Sequence, residues 1–183
     1  MGLKVELRPG VKQVAARVLE FWYNPVTQEA SRTRLENEEG CAQIKGSVNR
    51  FSIAQQREFG RRHRSLEKLK ARLEKLKKKD EDSDAVYDLT EKIEDEQMSY
   101  FFELIRDGYS DLEGFTTQAP RMEGSSDMVE VEVKTIDSME LFDTLPISLA
   151  TAMVEGMMHV FPEISGTGDG KKEGPTEPPS AGG

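Results

Sequence analysis

The side chains able to do chemistry are few in this sequence and scattered along it. Histidine occurs only at His63 and His159, and the single cysteine is Cys41. A structural zinc site of the Cys/His type needs four such ligands at close spacing, so these three are too few. Neither histidine sits in a His-x-Glu or His-Glu-x-x-His pattern. His63, among arginines, reads as a solvated helix residue, and His159, beside Met157 and Met158, as a partly buried one. Cys41 has no base beside it in sequence to take its proton, so it reads as a plain thiol. The acidic cluster Glu91, Glu94, Asp95 and Glu96 lacks the Glu-x-x-His spacing of carboxylate-bridged iron sites and the glycine-punctuated loop of an EF-hand. It reads instead as a solvated helix face turned toward lysines. The stretch from Gly166 to Lys172 has the flavour of a phosphate loop. A true one needs glycine where Ser165 stands, Ser or Thr where Lys172 stands, and a strand-to-helix setting. The expectation is a protein without enzymatic activity, cofactor or metal.

The feature that remains is charge. Between Arg57 and Lys79 lie eleven basic residues (Arg57, Arg61, Arg62, Arg64, Lys68, Lys70, Arg72, Lys75, Lys77, Lys78, Lys79) against Glu58, Glu67 and Glu74, a segment of +8. The whole chain of 183 residues is -9, so the rest carries -17. A helix this basic binds phosphates electrostatically, which makes a nucleic-acid-binding accessory role over residues 57–79 one alternative. Two observations weigh against it. The helix has no aromatic residue beyond Phe59 for base stacking, and the pI is about 4.9, whereas such domains are basic. Blocks of opposite sign also attract each other, within a chain or between copies.

The elements that must position these charges follow from periodicity and punctuation. Val14 to Tyr23 is rich in β-branched and aromatic residues, Asn24-Pro25 signals a turn, and Gln28 to Leu35 returns as an edge strand, giving an N-terminal β-hairpin. Lys4 to Arg8 also alternates as strand material, Asn37 to Gly40 is a loop, and Ile44 to Phe51 reads as a further short strand. Ser52 and Gln55 have capping-box spacing. From there a helix runs to about Lys79 with Leu66, Leu69, Leu73 and Leu76 as a narrow apolar seam, and Gly60 marks a kink or break. A second helix, Ala85 to Asp107, carries Val86, Leu89, Ile93, Phe101, Leu104 and Ile105, with Gly108 as its C-cap. Val129, Val131 and Val133 alternate as a short strand. Asp137 and Glu140 cap a short helix, and Pro146 opens another through Leu149, Met153, Val154, Met157 and Phe161.

The expected fold class is α+β, mainly α, with an N-terminal β-hairpin, a charged helical hairpin, C-terminal helices and a disordered tail. The segments are 1–50, the N-terminal β-containing region; 51–118, the helical hairpin; 119–134, a linker with a short strand; 135–163, the C-terminal helices; and 164–183, a Gly/Pro-rich tail too poor in apolar residues to order. No apolar run reaches the length of a membrane helix, and no secretory signal of the usual layout opens the chain, so the expected location is the cytoplasm, with no membrane partner.

The aromatic stretch Tyr100-Phe101-Phe102-Glu103-Leu104-Ile105, the linker, the Leu-Pro-initiated helix at Asp143-Thr144-Leu145-Pro146-Ile147-Ser148-Leu149 and the Gly/Pro-rich acidic end form an order of parts. That order, over residues 52–183, resembles the tail assembly chaperones of long-tailed bacteriophages. The resemblance implies a non-enzymatic protein in the host cytoplasm, with no cofactor, that coats the tape-measure protein and helps tail-tube protein polymerise around it. A structural virion or scaffold component is the further alternative. Phe101, Phe102, Met153, Met157 and Met158 are the candidate protein-binding residues, because methionine offers an adaptable apolar surface. The competing reading of the methionines is core filling.

Overall fold

The computed structural model describes residues 17–33, 40–120 and 128–165. The strand expected at Lys4 to Arg8, the loop at Asn37 to Glu39, the linker segment 121–127 and the tail beyond Ser165 lie outside the described residues. The fold is α+β and mainly helical, in the order β1 (Arg17–Asn24), β2 (Glu29–Ser31), β3 (Ala42–Val48), α1 (Ile53–Lys77), α2 (Asp84–Gly108), β4 (Tyr109–Glu113), β5 (Thr116–Pro120), β6 (Met128–Glu132), α3 (Met139–Phe142), α4 (Ile147–Val160) and a closing 3-10 turn, Pro162–Ser165. The chain divides into two units that interleave in sequence. One is 1–50 with 106–152, and the other is 51–105 with 153–183. The division therefore differs from a succession of segments.

The first unit is built on an antiparallel sheet of order β2-β1-β3-β4. Leu19 and Phe21 face one side of β1 and are buried, while Val18 and Glu20 face the other and are exposed. This is the period-2 alternation that a half-buried strand requires. Phe21 pairs with Ile44 and Leu19 with Gly46 of β3. Gly46 leaves room for β4, since a Cβ there would sit 2.9 Å from Tyr109 and Leu112 side-chain atoms, and Phe21 meets Tyr109 edge to face at 5.9 Å. The turn after β1 is stabilised by buried Asn24, whose Oδ1 accepts from the Val26 and Thr27 backbone N–H groups at 2.9 and 3.2 Å. This is the local bond that makes Asn a turn residue.

β4 pairs with β3 through Ser47 with Ser110 and Val48 with Tyr109. All of the helical hairpin is thus inserted in the chain between two neighbouring strands. Asn49 closes the neck of that insertion. Its backbone N–H donates to Gly108 O at 2.8 Å, its side-chain amide donates to Asp107 O at 3.0 Å, and its Oδ1 accepts from the Ser110 hydroxyl at 2.9 Å.

Residues 109–118, read from the sequence as the end of the hairpin segment, and 119–120, read as the start of the linker, form β4 and β5. The pattern is hidden because β4 carries a bulge opposite Lys45–Ser47 and Asp111 takes φ 50°, so that Tyr109 and Leu112, three apart, are both buried. β6 forms where expected and pairs with β5, but Val131 is exposed and buried Val133 lies just past the strand, its N–H donating to Phe115 O at 2.8 Å. Ser138, not Asp137, caps α3, its side chain accepting from the Leu141 N–H.

In the second unit the Ser52–Gln55 capping box forms in both directions. α2 runs one residue further than read. Gly108 is its last residue and does not adopt the left-handed conformation, which among the described glycines occurs at Gly40 and Gly114. Phe51, Phe59, Phe161 and Tyr100 cluster, with ring separations of 5.2 Å (Phe51 to Phe59), 5.4 Å (Phe51 to Phe161) and 6.1 Å (Phe59 to Tyr100). The closing turn packs on α1, and Ile164, assigned by composition to the tail, is fully buried. Gly60 does not break α1. It admits the Glu163 carbonyl oxygen, which a Cβ would strike.

Two substitutions separate these packing roles from local propensity. Helix propensity alone makes Gly60→Ala stabilising by ~1 kcal/mol. The Glu163 carbonyl reverses the sign, and urea unfolding should show a loss of about 1–3 kcal/mol. Asn49→Ala should cost about 1–3 kcal/mol through the stranded Asp107 and Ser110 groups, and Asn49→Asp at least as much, since its carboxylate still accepts from Ser110 but sets an acceptor against the Asp107 carbonyl. An unchanged midpoint for Asn49→Ala would contradict the clamp.

Candidate functional site

The two helices of the hairpin differ along their length. From Gln97 to Ile105 every residue of α2 is buried or half-buried, whereas in its first half only Val86, Leu89 and Ile93 are buried. α1 mirrors this, burying Phe59, Gly60 and Leu66. The seam leucines Leu69, Leu73 and Leu76 stay half-exposed. The first half of α2 sets only Val86, Leu89 and Ile93 as buried apolar residues against this seam, and the distal leucines remain partly wet.

The expectation that Glu91, Glu94, Asp95 and Glu96 face the lysines of α1 is not met. Glu96 pairs with Lys92 of its own helix at 3.8 Å, and Lys70 with Glu67 of its own helix at 3.4 Å. The single ion pair between the two helices among the described residues is Arg62–Glu103, 2.5 Å long and about a third exposed on each side. The other nine basic residues of the 57–79 block make no ion pair among the described residues, and neither do Glu91, Glu94 and Asp95. In a two-helix hairpin only positions flanking the seam meet across it. The remaining charges point outward, where solvation outweighs the small gain of a surface pair.

Arg62 organises the hairpin's inner half. Its guanidinium holds Glu103, donates to Ser99 Oγ at 3.4 Å and lies 5.7 Å from the Tyr100 ring centre. The Tyr100 hydroxyl is buried with no hydrogen-bond partner, and burial holds its pKa far above the ordinary phenol value, against the lowering effect of Arg62. Two open clefts follow the seam. One, of about 390 Å³, is lined by Arg62, Ser65, Leu66, Asp95, Glu96 and Ser99. The other, of about 310 Å³, is lined by Arg72, Leu76, Ala85, Asp88, Leu89 and Lys92. Both have an apolar floor and rims of both signs. Such a lining suits a protein segment carrying apolar and mixed charged side chains, while its carboxylates repel a run of phosphates.

Of the candidate binding residues, Met153 and Met157 are buried in the folded chain, so core filling is the role the structure gives them. Met158, Phe101 and Phe102 are half-buried, and Phe101 stands 6.2 Å from Tyr100. The five are not brought together on one surface. Sequence reading does not single out the cleft residues Arg72, Leu76, Asp88 and Leu89, although the seam leucines among charges are their visible signal. His159, read as partly buried, is exposed, and His63, read as solvated, is half-buried beside Tyr100 at 6.2 Å. Among the described residues no group of three His, Cys, Asp or Glu could hold a metal ion, and no helix is long and apolar enough to cross a membrane.

Burial lowers the His63 pKa from its ordinary 6.5, with Lys70 and Arg64 adding to the effect and Glu67 opposing it. The unfolded chain therefore takes up a proton at this position before the folded one does. Stability should fall as pH drops below 6.5 toward the lowered value. His63→Gln should flatten the slope of the urea midpoint against pH as pH falls below 6.5; a slope identical to that of the parent would contradict the assignment.

No family model matches the chain, and neither a curated protein nor a solved structure matches it.

Proposed function

We propose that this protein is a non-enzymatic assembly factor acting through its helical hairpin, of the kind represented by the tail assembly chaperones of long-tailed bacteriophages. In that role it binds the tape-measure protein in the host cytoplasm, keeps it from aggregating and promotes assembly of tail-tube protein around it. The order of elements over residues 52–183 supports the family. The observation that carries the mode of action is the distal seam, where Leu69, Leu73 and Leu76 are half-exposed beside a cleft with an apolar floor and a mixed-charge rim. A long, largely apolar client offers helical segments that complete such a seam, and the charged rim keeps the complex soluble. The uncompensated basic residues of α1 favour the second reading, nucleic-acid binding through residues 57–79.

Co-expression with the tape-measure protein tests the proposal. The client should stay soluble and co-purify with this protein, and the double variant Leu73→Asp/Leu76→Asp should weaken binding at least ~10-fold, or about 1.4 kcal/mol. A client that aggregates equally with and without the protein would sink the reading. Retention on heparin at ~150 mM salt would favour nucleic acid instead. Presence in finished particles would mark a structural component.

A further inference from the structure

The distal hairpin divides its charge by helix. Residues 64–79 hold eight Lys or Arg and two Glu, a net of +6, and residues 80–95 hold eight Asp or Glu and one Lys, a net of -7. The two stretches are equal in length and opposite in sign, so residues 64–95 as a whole carry -1. This near-neutrality discriminates between partners. A polyanion would gain from the first stretch and be repelled by the second. A surface with the same two stripes in reverse order gains from both. The chain supplies that surface itself, because a two-fold axis parallel to the two helices lays residues 64–79 of one copy along residues 80–95 of the other, and the reverse contact follows by symmetry.

We propose that the distal hairpin docks on a second copy of this chain, two-fold related about an axis along the helices with both tips at the same end, to form a four-helix bundle with unlike charges facing at both outer contacts. The half-exposed Leu69, Leu73 and Leu76 and the open cleft floored by Leu76 and Leu89 provide the apolar centre that a two-helix hairpin leaves uncovered. The outward charges, unpaired across the hairpin among the described residues, provide the register. Unlike stripes attract across the contact, while a two-fold axis across the helices, with the hairpins antiparallel, sets like against like. The inference uses the same hairpin as the assembly-factor reading but does not require the tape-measure protein as client.

Sedimentation of the full chain tests it. A dimer is expected at ~50 mM salt that dissociates at least ~10-fold more readily at ~500 mM. The variant Lys68→Glu/Arg72→Glu/Lys75→Glu should be monomeric alone, as should Asp88→Lys/Glu91→Lys/Asp95→Lys, and an equimolar mixture of the two should recover a 1:1 heterodimer. Recovery in the mixture also shows that both variants are folded. A parent chain monomeric at ~100 μM in low salt, or a dimer that both triple reversals leave intact, overturns the proposal. Tape-measure binding by a monomeric variant separates the two readings, since it preserves the client interaction while the dimer is lost.

Discussion

The closure at Asn49 is the constraint on which the architecture rests. β3 and β4 are neighbours in the sheet, yet the chain between them is two helices of 25 residues each. Register between the strands survives only if the ends of that insertion are held together, and a long flexible closure is entropically costly. One asparagine accomplishes this with three hydrogen bonds, to Asp107, Gly108 and Ser110. The side chain offers donor and acceptor at once, which neither Asp nor Ala can do. Val48 then pairs with Tyr109, and Tyr109 and Leu112 can cover Gly46.

Within the second unit, stability is graded along the hairpin. The aromatic cluster of Phe51, Phe59, Tyr100 and Phe161, the Arg62–Glu103 pair and the closing turn on Gly60 all lie at its inner half. The distal half has only Val86, Leu89 and Ile93 buried, under a surface of charges. Apart from the Lys70–Glu67 and Lys92–Glu96 pairs within single helices, the outward charges among the described residues of this half stand solvated and unpaired. The result is a segment with little buried surface of its own and a strongly patterned exterior.

Local features were legible because a few adjacent residues determine them: the Asn24 turn, the Ser52–Gln55 box, the two helices and the strand at Met128. Features that depend on residues distant in sequence were not. Asn49 and Asp107 are separated by 58 positions, and no spacing rule links them. Gly60 looks like a helix flaw until Glu163 is placed against it, and Ile164 looks like tail until its burial against the rest of the unit is seen. β4 was masked by its own bulge. The acid–base partnership expected across the hairpin failed because composition reports charge but not which way it points. The free charge of α1 could have been anticipated from the seam itself, since leucines spaced three and four apart leave only the flanking positions within reach of the partner helix.

On the proposal made above, the inner half of the hairpin is a fixed core and the distal half a surface completed by a partner. Hydrogen exchange along α1 and α2 tests it most directly. In dilute solution, amides of residues 53–66 and 97–105 should exchange slowly and those of 68–77 and 84–92 much faster, with protection of the distal set rising as protein concentration increases. Even protection along both helices, unchanged by concentration, would contradict the account.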